Sequence, residues 1–320
     1  MPVAVALLAE LVTDDETAAA IGTSALISGF VAFDAPAATR AAWYAAVAPA
    51  VGLAAAFGIV CGQAAVPAVV GMALVGGAGG YLVAVSPRVA IYGLTTVLAF
   101  LIAEGLYLDL DDAPAGFALG VAGALLQAAW AIALAILLRE GAEPLSPRRS
   151  IREASERLRA GLSLRGPAMR HALRFGLALA AGVTIYRVVD LGAHGYWVPL
   201  TILFVLKPDP YETHRRLAMR AAGTVAGLVL ATALAELLGE QIAATTVVLS
   251  AAAACAFALL AIEYALFTTA ITLYVVLLTD SLGSPALEAA DERAVGTALG
   301  IFIAGAAFWI WGDVRSRGTI

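Results

Sequence analysis

Apolar runs follow one another so closely along this chain that only a lipid bilayer accommodates them all. They fall near 17–33, 41–60, 63–80, 88–107 and 114–138, then 171–188, 196–207, 217–237, 242–260, 262–280 and 293–312. A helix needs about 20 apolar residues to cross the ~30 Å hydrocarbon core, and most of these runs approach that length. The chain is 62% hydrophobic and 13% charged, whereas a soluble domain carries about 25% charged residues. A water-soluble interior of this size has no room for so much apolar surface. The polypeptide is therefore expected to cross a membrane roughly ten to twelve times.

Helices are the expected spanning element, because every backbone N–H and C=O must be paired within lipid. A β-barrel would alternate apolar and polar residues, and continuous runs such as TVAGLVLATALAELLG (224–239) do not. The fold class read from the sequence is an all-α polytopic membrane protein. Residues 2–12 are apolar but too short to span upright, so the first helix reads as short or truncated. Nothing around them resembles a cleavable signal.

The long polar stretch 139–170 carries Arg148, Arg149, Arg152, Arg157, Arg159, Arg165 and Arg170. Basic loops face the cytoplasm, which places this linker there together with Arg40, Arg88, Arg215, Arg216, Arg315 and Arg317. The acidic loop 104–112 then falls outside. Arg187, at an outer end with Asp190 and His194, is the one exception.

Two tandem copies of a unit of about six helices, offset by about 176 positions, account for the order of spans and loops. FDAPAATRAAW (33–43) takes the place of PDPYETHRRLAMR (208–220), and DDAPAGFALGVAGA (111–124) that of ADERAVGTALGIFIAG (290–305). The expected organisation is a degenerate N-terminal transmembrane repeat at 1–138, a basic cytoplasmic linker at 139–170, a C-terminal transmembrane repeat at 171–313 and a cytoplasmic tail at 314–320. Internal repeats of this kind place a solute path at their interface in secondary transporters.

A tighter recurrence lies within the second copy. Arg220-Ala-Ala-Gly223-Thr224-Val-Ala-Gly227 is matched by Arg293-Ala-Val-Gly296-Thr297-Ala-Leu-Gly300. Glycines four apart share one helix face and permit close helix packing, within the chain or across a homodimer. Arginine in or near a span is costly unless it is paired, hydrated or snorkelling. Lys207, Arg215, Arg216 and Arg220 form a basic mouth able to attract a carboxylate, or simply anchor the cytoplasmic side. Tyr196 and Trp197 sit where interfacial aromatic anchors occur. A proton-coupled carrier needs a titratable group, for which Glu263 and Asp280 are the candidates.

Enzyme chemistry finds no foothold. There is no Walker loop or HExxH motif, and His171, His194 and His214 are dispersed. Cys61 and Cys255 have no CxxC or histidine neighbour, so no metal, disulfide or cofactor role is expected. A net charge of −5 without a basic patch excludes a nucleic-acid partner.

Across 171–231, the sequence HALRFGLALAAGV, the Tyr196-Trp197 pair leading into LTILFVLKPDP, and THRRLAMRAAGTVAGLVLA resemble the fusaric-acid-resistance-like family of integral membrane transporters. That family includes bacterial aromatic acid exporters. Arg220, Gly223, Thr224 and Gly227 match its arginine-x-x-glycine-threonine-x-x-glycine pattern, and the likeness extends more weakly to residue 312. The resemblance implies export of aromatic or related organic anions across the bacterial inner membrane, with a periplasmic adaptor for some relatives. Two departures stand out: many relatives carry a large soluble domain, and the first half here lacks the arginine and tyrosine-tryptophan marks. A passive anion channel and a non-transporting membrane scaffold are the alternative readings.

Overall fold

In the computed structural model the described residues are 16–31, 36–85, 87–106, 108–139, 156, 166–189, 191, 194–239, 241–260, 262–281, 283 and 285–310. The apolar run 2–12 expected as a short first helix, nearly all of the linker 139–170 and the tail 314–320 lie outside them.

Eleven α-helices account for almost all of the described chain. They are α1 (Glu16–Gly29), α2 (Ala37–Gly62), α3 (Ala65–Val85), α4 (Pro87–Gly105), α5 (Ala113–Leu137), α6 (Pro167–Val188), α7 (Trp197–Val205), α8 (Pro210–Leu238), α9 (Ile242–Leu259), α10 (Tyr264–Ser281) and α11 (Ala286–Ile310). Each answers to one of the apolar runs. Seven of them, α2, α3, α5, α8, α9, α10 and α11, are long and apolar enough to cross a membrane. The chain is an all-α polytopic membrane protein.

Proline and glycine set many of the boundaries. Pro87, Pro167 and Pro210 open α4, α6 and α8, where the missing N–H costs nothing. The Asp209 carboxylate accepts the Glu212 N–H at 2.8 Å and caps α8. Gly239 ends α8 with φ +53°, a conformation that side-chain-bearing residues rarely adopt.

The run at 196–207 was expected as a span, but its helix α7 has only nine residues, about 13.5 Å at 1.5 Å per residue. The Leu206 to Pro208 backbone continues it outside the helix. Gly182 of α6 packs on Pro199 and Ile202, while Arg174 of α6 donates to the Lys207 carbonyl at 3.1 Å. α7 and its continuation thus run back along α6. Its residues Trp197, Val198, Thr201, Ile202, Leu203 and Val205 are almost completely enclosed, so other helices screen this short element from lipid.

Leu53, Val66, Leu74, Ile136, Val225, Val229 and Phe302 are more than half exposed and form the surface offered to acyl chains. Between helices there is no hydrophobic drive in lipid, and small residues that permit close approach do the packing. In the first half α1 packs on α5, α2 on α4 and α5, and α3 on α4. In the second half α7 packs on α11, α8 on α10 and α11, and α9 on α10. α3 and α6 join the two halves, with Gly76 against Leu179 and Gly176, and Gly80 against Phe175.

Candidate functional site

The two glycine-threonine motifs pack in the same way on different partners. Cβ atoms added to Gly223 and Gly227 of α8 would collide with Thr268 and Thr272 of α10. Those added to Gly296 and Gly300 of α11 would lie 3.0 Å from Trp197 and 2.6 Å from Thr201 of α7. These four glycines are therefore consumed by packing inside the chain and leave no open face for a second copy. In each interface the residue numbers rise together, so α8 and α10 run parallel, as do α7 and α11. The α8–α11 contact runs the other way, because His214 near the start of α8 meets Phe308 near the end of α11, ring centroids 5.7 Å apart.

This packing carries both motif arginines inward. Arg220 is 0% and Arg293 1% exposed. The Arg293 guanidinium carbon lies 5.0 Å from the Trp197 ring at the start of α7, and that of Arg220 lies 5.9 Å from the Phe204 ring near its end. The two cations lie near enough to repel one another. Among the described residues no carboxylate pairs with either. Nε and Nη2 of Arg220, and Nε and Nη1 of Arg293, are buried without a hydrogen-bond partner. The hydroxyls of Thr224 and Thr297 are buried and unpartnered as well. Such an arrangement offers positive charge and donors, with aromatic faces beside them, and has no anion of its own.

The remaining candidates spread around this pair. Trp197 forms the first turn of α7 and stacks on His194, with ring centroids 4.6 Å apart and planes 18° apart. His194 Nδ1 is 2.6 Å from a carboxylate oxygen of Glu292, the residue before Arg293. Tyr196 lies against Gly105 at the end of α4. Lys207 donates its backbone N–H to Thr213 at 3.0 Å. Arg216 is paired with Glu212 at 2.6 Å and lies 4.6 Å from the Tyr264 ring. Glu263 occupies the turn between α9 and α10, 4.0 Å from Arg215. Asp280, in the last turn of α10, accepts the Ala286 N–H at 2.8 Å where α11 begins.

A buried ion pair escaped the sequence reading. Glu104, at the end of α4, is 0% exposed. Arg187 of α6 donates to it from Nε at 3.0 Å and also from Nη2, and the Tyr186 hydroxyl forms a third, very short contact. Arg187 had stood out as a basic residue at an outer end, and Glu104 as an acid in the outer loop. That one exception, set beside an acid at the same outer side, is the signal the sequence offers.

Residues 177–307 match the model of the fusaric acid resistance protein-like family. The match covers the second half of α6, all of α7 to α10 and nearly all of α11, and takes in both arginine motifs. The chain is 35% identical over 149 residues to the inner membrane protein YccS of Escherichia coli, spanning 46% of this chain and 20% of that protein. It is 29% identical over 165 residues to the ORF2 protein of Neisseria gonorrhoeae, spanning 51% of this chain and 39% of that one. The slr1298 protein of Synechocystis is 35% identical over 116 residues, 36% of this chain and 15% of its own. The chain thus covers well under half the length of these relatives. No solved structure matches it.

Proposed function

We propose that this protein is a secondary transporter that exports organic anions, chiefly aromatic carboxylates and related toxic compounds, across the bacterial inner membrane. The observation that carries this reading is the pair of buried, carboxylate-free guanidinium groups of Arg220 and Arg293, one toward each end of the short helix α7. An uncompensated buried charge is strongly unfavourable, so a transient mobile anion is the natural counter-charge. The family match supports transport, and the inner-membrane name of the Escherichia coli relative supports the location. Under this reading Tyr196, Trp197, Lys207, Arg216, Arg220, Thr224, Arg293 and Thr297 form the substrate path. Trp197 and Phe204 offer ring faces to the body of an aromatic substrate.

The two-copy organisation belongs to the same proposal. The order of neighbours in the first half, α1 on α5 and α2 on α4 and α5, repeats in the second as α7 on α11 and α8 on α10 and α11. That agreement supports repeats bounded at 1–138 and 171–313, joined by a cytoplasmic linker. Proton coupling through Glu263 or Asp280, and work with a periplasmic adaptor, extend the reading.

The alternative of a passive channel is favoured by the same geometry, since arginines placed in sequence along a path also act as an electrostatic filter. Flux of labelled hydroxybenzoate into proteoliposomes, with and without an imposed pH gradient, separates them. Gradient-driven accumulation that is lost in Arg220→Ala, and reduced in Glu263→Gln or Asp280→Asn, is the carrier result. Equilibration indifferent to the gradient selects the channel, and no flux from well-folded protein overturns both.

A further inference from the structure

The threonines of this protein behave in two ways. Thr95, Thr96, Thr184, Thr246, Thr268 and Thr279 return their hydroxyls to the carbonyl one turn back, at 2.7–2.9 Å. That is the usual way for a hydroxyl to be satisfied inside an apolar helix. Thr39, Thr201, Thr224, Thr272 and Thr297 do not, and each is left buried without a partner. A buried donor without a partner is costly; Thr39 stands apart in the first turn of α2, but the other four are not scattered. Thr224 and Thr297 each follow the first glycine of an arginine motif. Thr272 and Thr201 are the residues against which the second glycines, Gly227 and Gly300, pack.

With the arginines, the orphaned groups fall into two matching triads. Arg220, Thr224 and Thr272 belong to the parallel pair α8–α10, and Arg293, Thr297 and Thr201 to the parallel pair α11–α7. The two pairs run in opposite directions, so the triads are inverted with respect to one another. Inverted pairs of this kind place solute sites between them, near the middle of the bilayer.

We propose that the two triads hold the two ends of one elongated anion with a negative group at each end, a dicarboxylate. This rests on the anion-transport reading above and narrows its substrate. A monocarboxylate neutralises one guanidinium and leaves the other buried and unpaired. Trp197 and Phe204, the rings beside the two guanidiniums, are seven positions apart on α7, about 10 Å along its axis. With the rings that far apart, a compact divalent ion such as sulfate is expected to meet one triad and a rigid spacer with a carboxylate at each end to meet both. An aromatic ring as the spacer also meets the faces of Trp197 and Phe204.

The test measures how terephthalate, benzoate and sulfate compete with labelled hydroxybenzoate flux in proteoliposomes holding the full chain. Terephthalate is expected to compete at concentrations roughly 10-fold or more below benzoate, the worth of one further charge-assisted contact, and to outcompete sulfate. Arg220→Gln and Arg293→Gln should each erase the terephthalate advantage, and to a similar degree. Thr224→Val and Thr297→Val, nearly isosteric and neutral, should weaken terephthalate more than benzoate even if the arginine variants do not fold. Equal potency of benzoate and terephthalate in the unaltered protein overturns the inference while leaving anion transport standing. Sulfate as potent as terephthalate, or one arginine variant keeping the preference, overturns it too. Absence of any anion flux overturns both readings together.

Discussion

Glu104 and Arg187 meet across the α4–α6 contact at side-chain exposures of 0% and 9%, where little solvent screens them. Removing one partner of such a pair leaves a charge that cannot be hydrated. Glu104→Gln, which keeps the shape and deletes the charge, is expected to lower stability by about 3–5 kcal/mol, read as a drop in the thermal midpoint of detergent-purified protein. Glu212, whose partners Arg215 and Arg216 are 47% and 27% exposed, supplies the contrast: Glu212→Gln should cost no more than about 1 kcal/mol. Single-residue reading found Arg220 and Arg293 because their motif recurs. It missed the Glu104–Arg187 pair because the partners are 83 positions apart and nothing local marks them as neighbours. Glu263 and Asp280 stand out in the sequence because a proton-coupled carrier needs a titratable group in or near a span. Their surroundings are turns and helix ends, with Glu263 beside Arg215 and Asp280 on the Ala286 N–H.

At the scale of elements, the apolar runs were enough to find the eleven helices of the described residues, because lipid leaves the backbone no other way to pair its polar groups. Their partners were not legible. Glycine spacing announces a close-packing face, but only the fold decides that Gly300 meets Thr201 of α7 and Gly227 meets Thr272 of α10. The short length of α7 was also hidden, because Leu206 is as apolar as a helical residue would be and the helix stops before it. Gly300→Ala would set its new Cβ 2.6 Å from that of Thr201 and should cost about 1–3 kcal/mol as α11 is pushed off α7. Gly305, on the same helix, has nothing within 4 Å of an added Cβ, so Gly305→Ala should be neutral or stabilising by up to about 1 kcal/mol. Thermal melts of the two variants side by side check the pair. A Gly300→Ala protein as stable as Gly305→Ala would contradict the packing described.

Across the whole molecule, the halves are joined by the α3–α6 glycine contact, the Glu104–Arg187 pair, and Leu26 and Phe30 packing on α9 and α10, so their association does not depend on the peptide between them. A protease site introduced within 140–165 and cleaved after purification should leave the two pieces co-eluting on size exclusion. The same cut in a Gly76→Leu, Glu104→Gln protein should weaken the association, with a larger share of the pieces eluting separately. On the transport reading, Arg220 and Arg293 lack a partner of their own because their counter-charge is a mobile anion. Equilibrium binding of labelled hydroxybenzoate to purified protein, beside an Arg220→Gln, Arg293→Gln double variant of unchanged helix content, tests this most directly. Saturable binding is expected in the unaltered protein, displaceable by unlabelled carboxylate and absent from the double variant. Binding of equal strength in both proteins, or none in either, would contradict it.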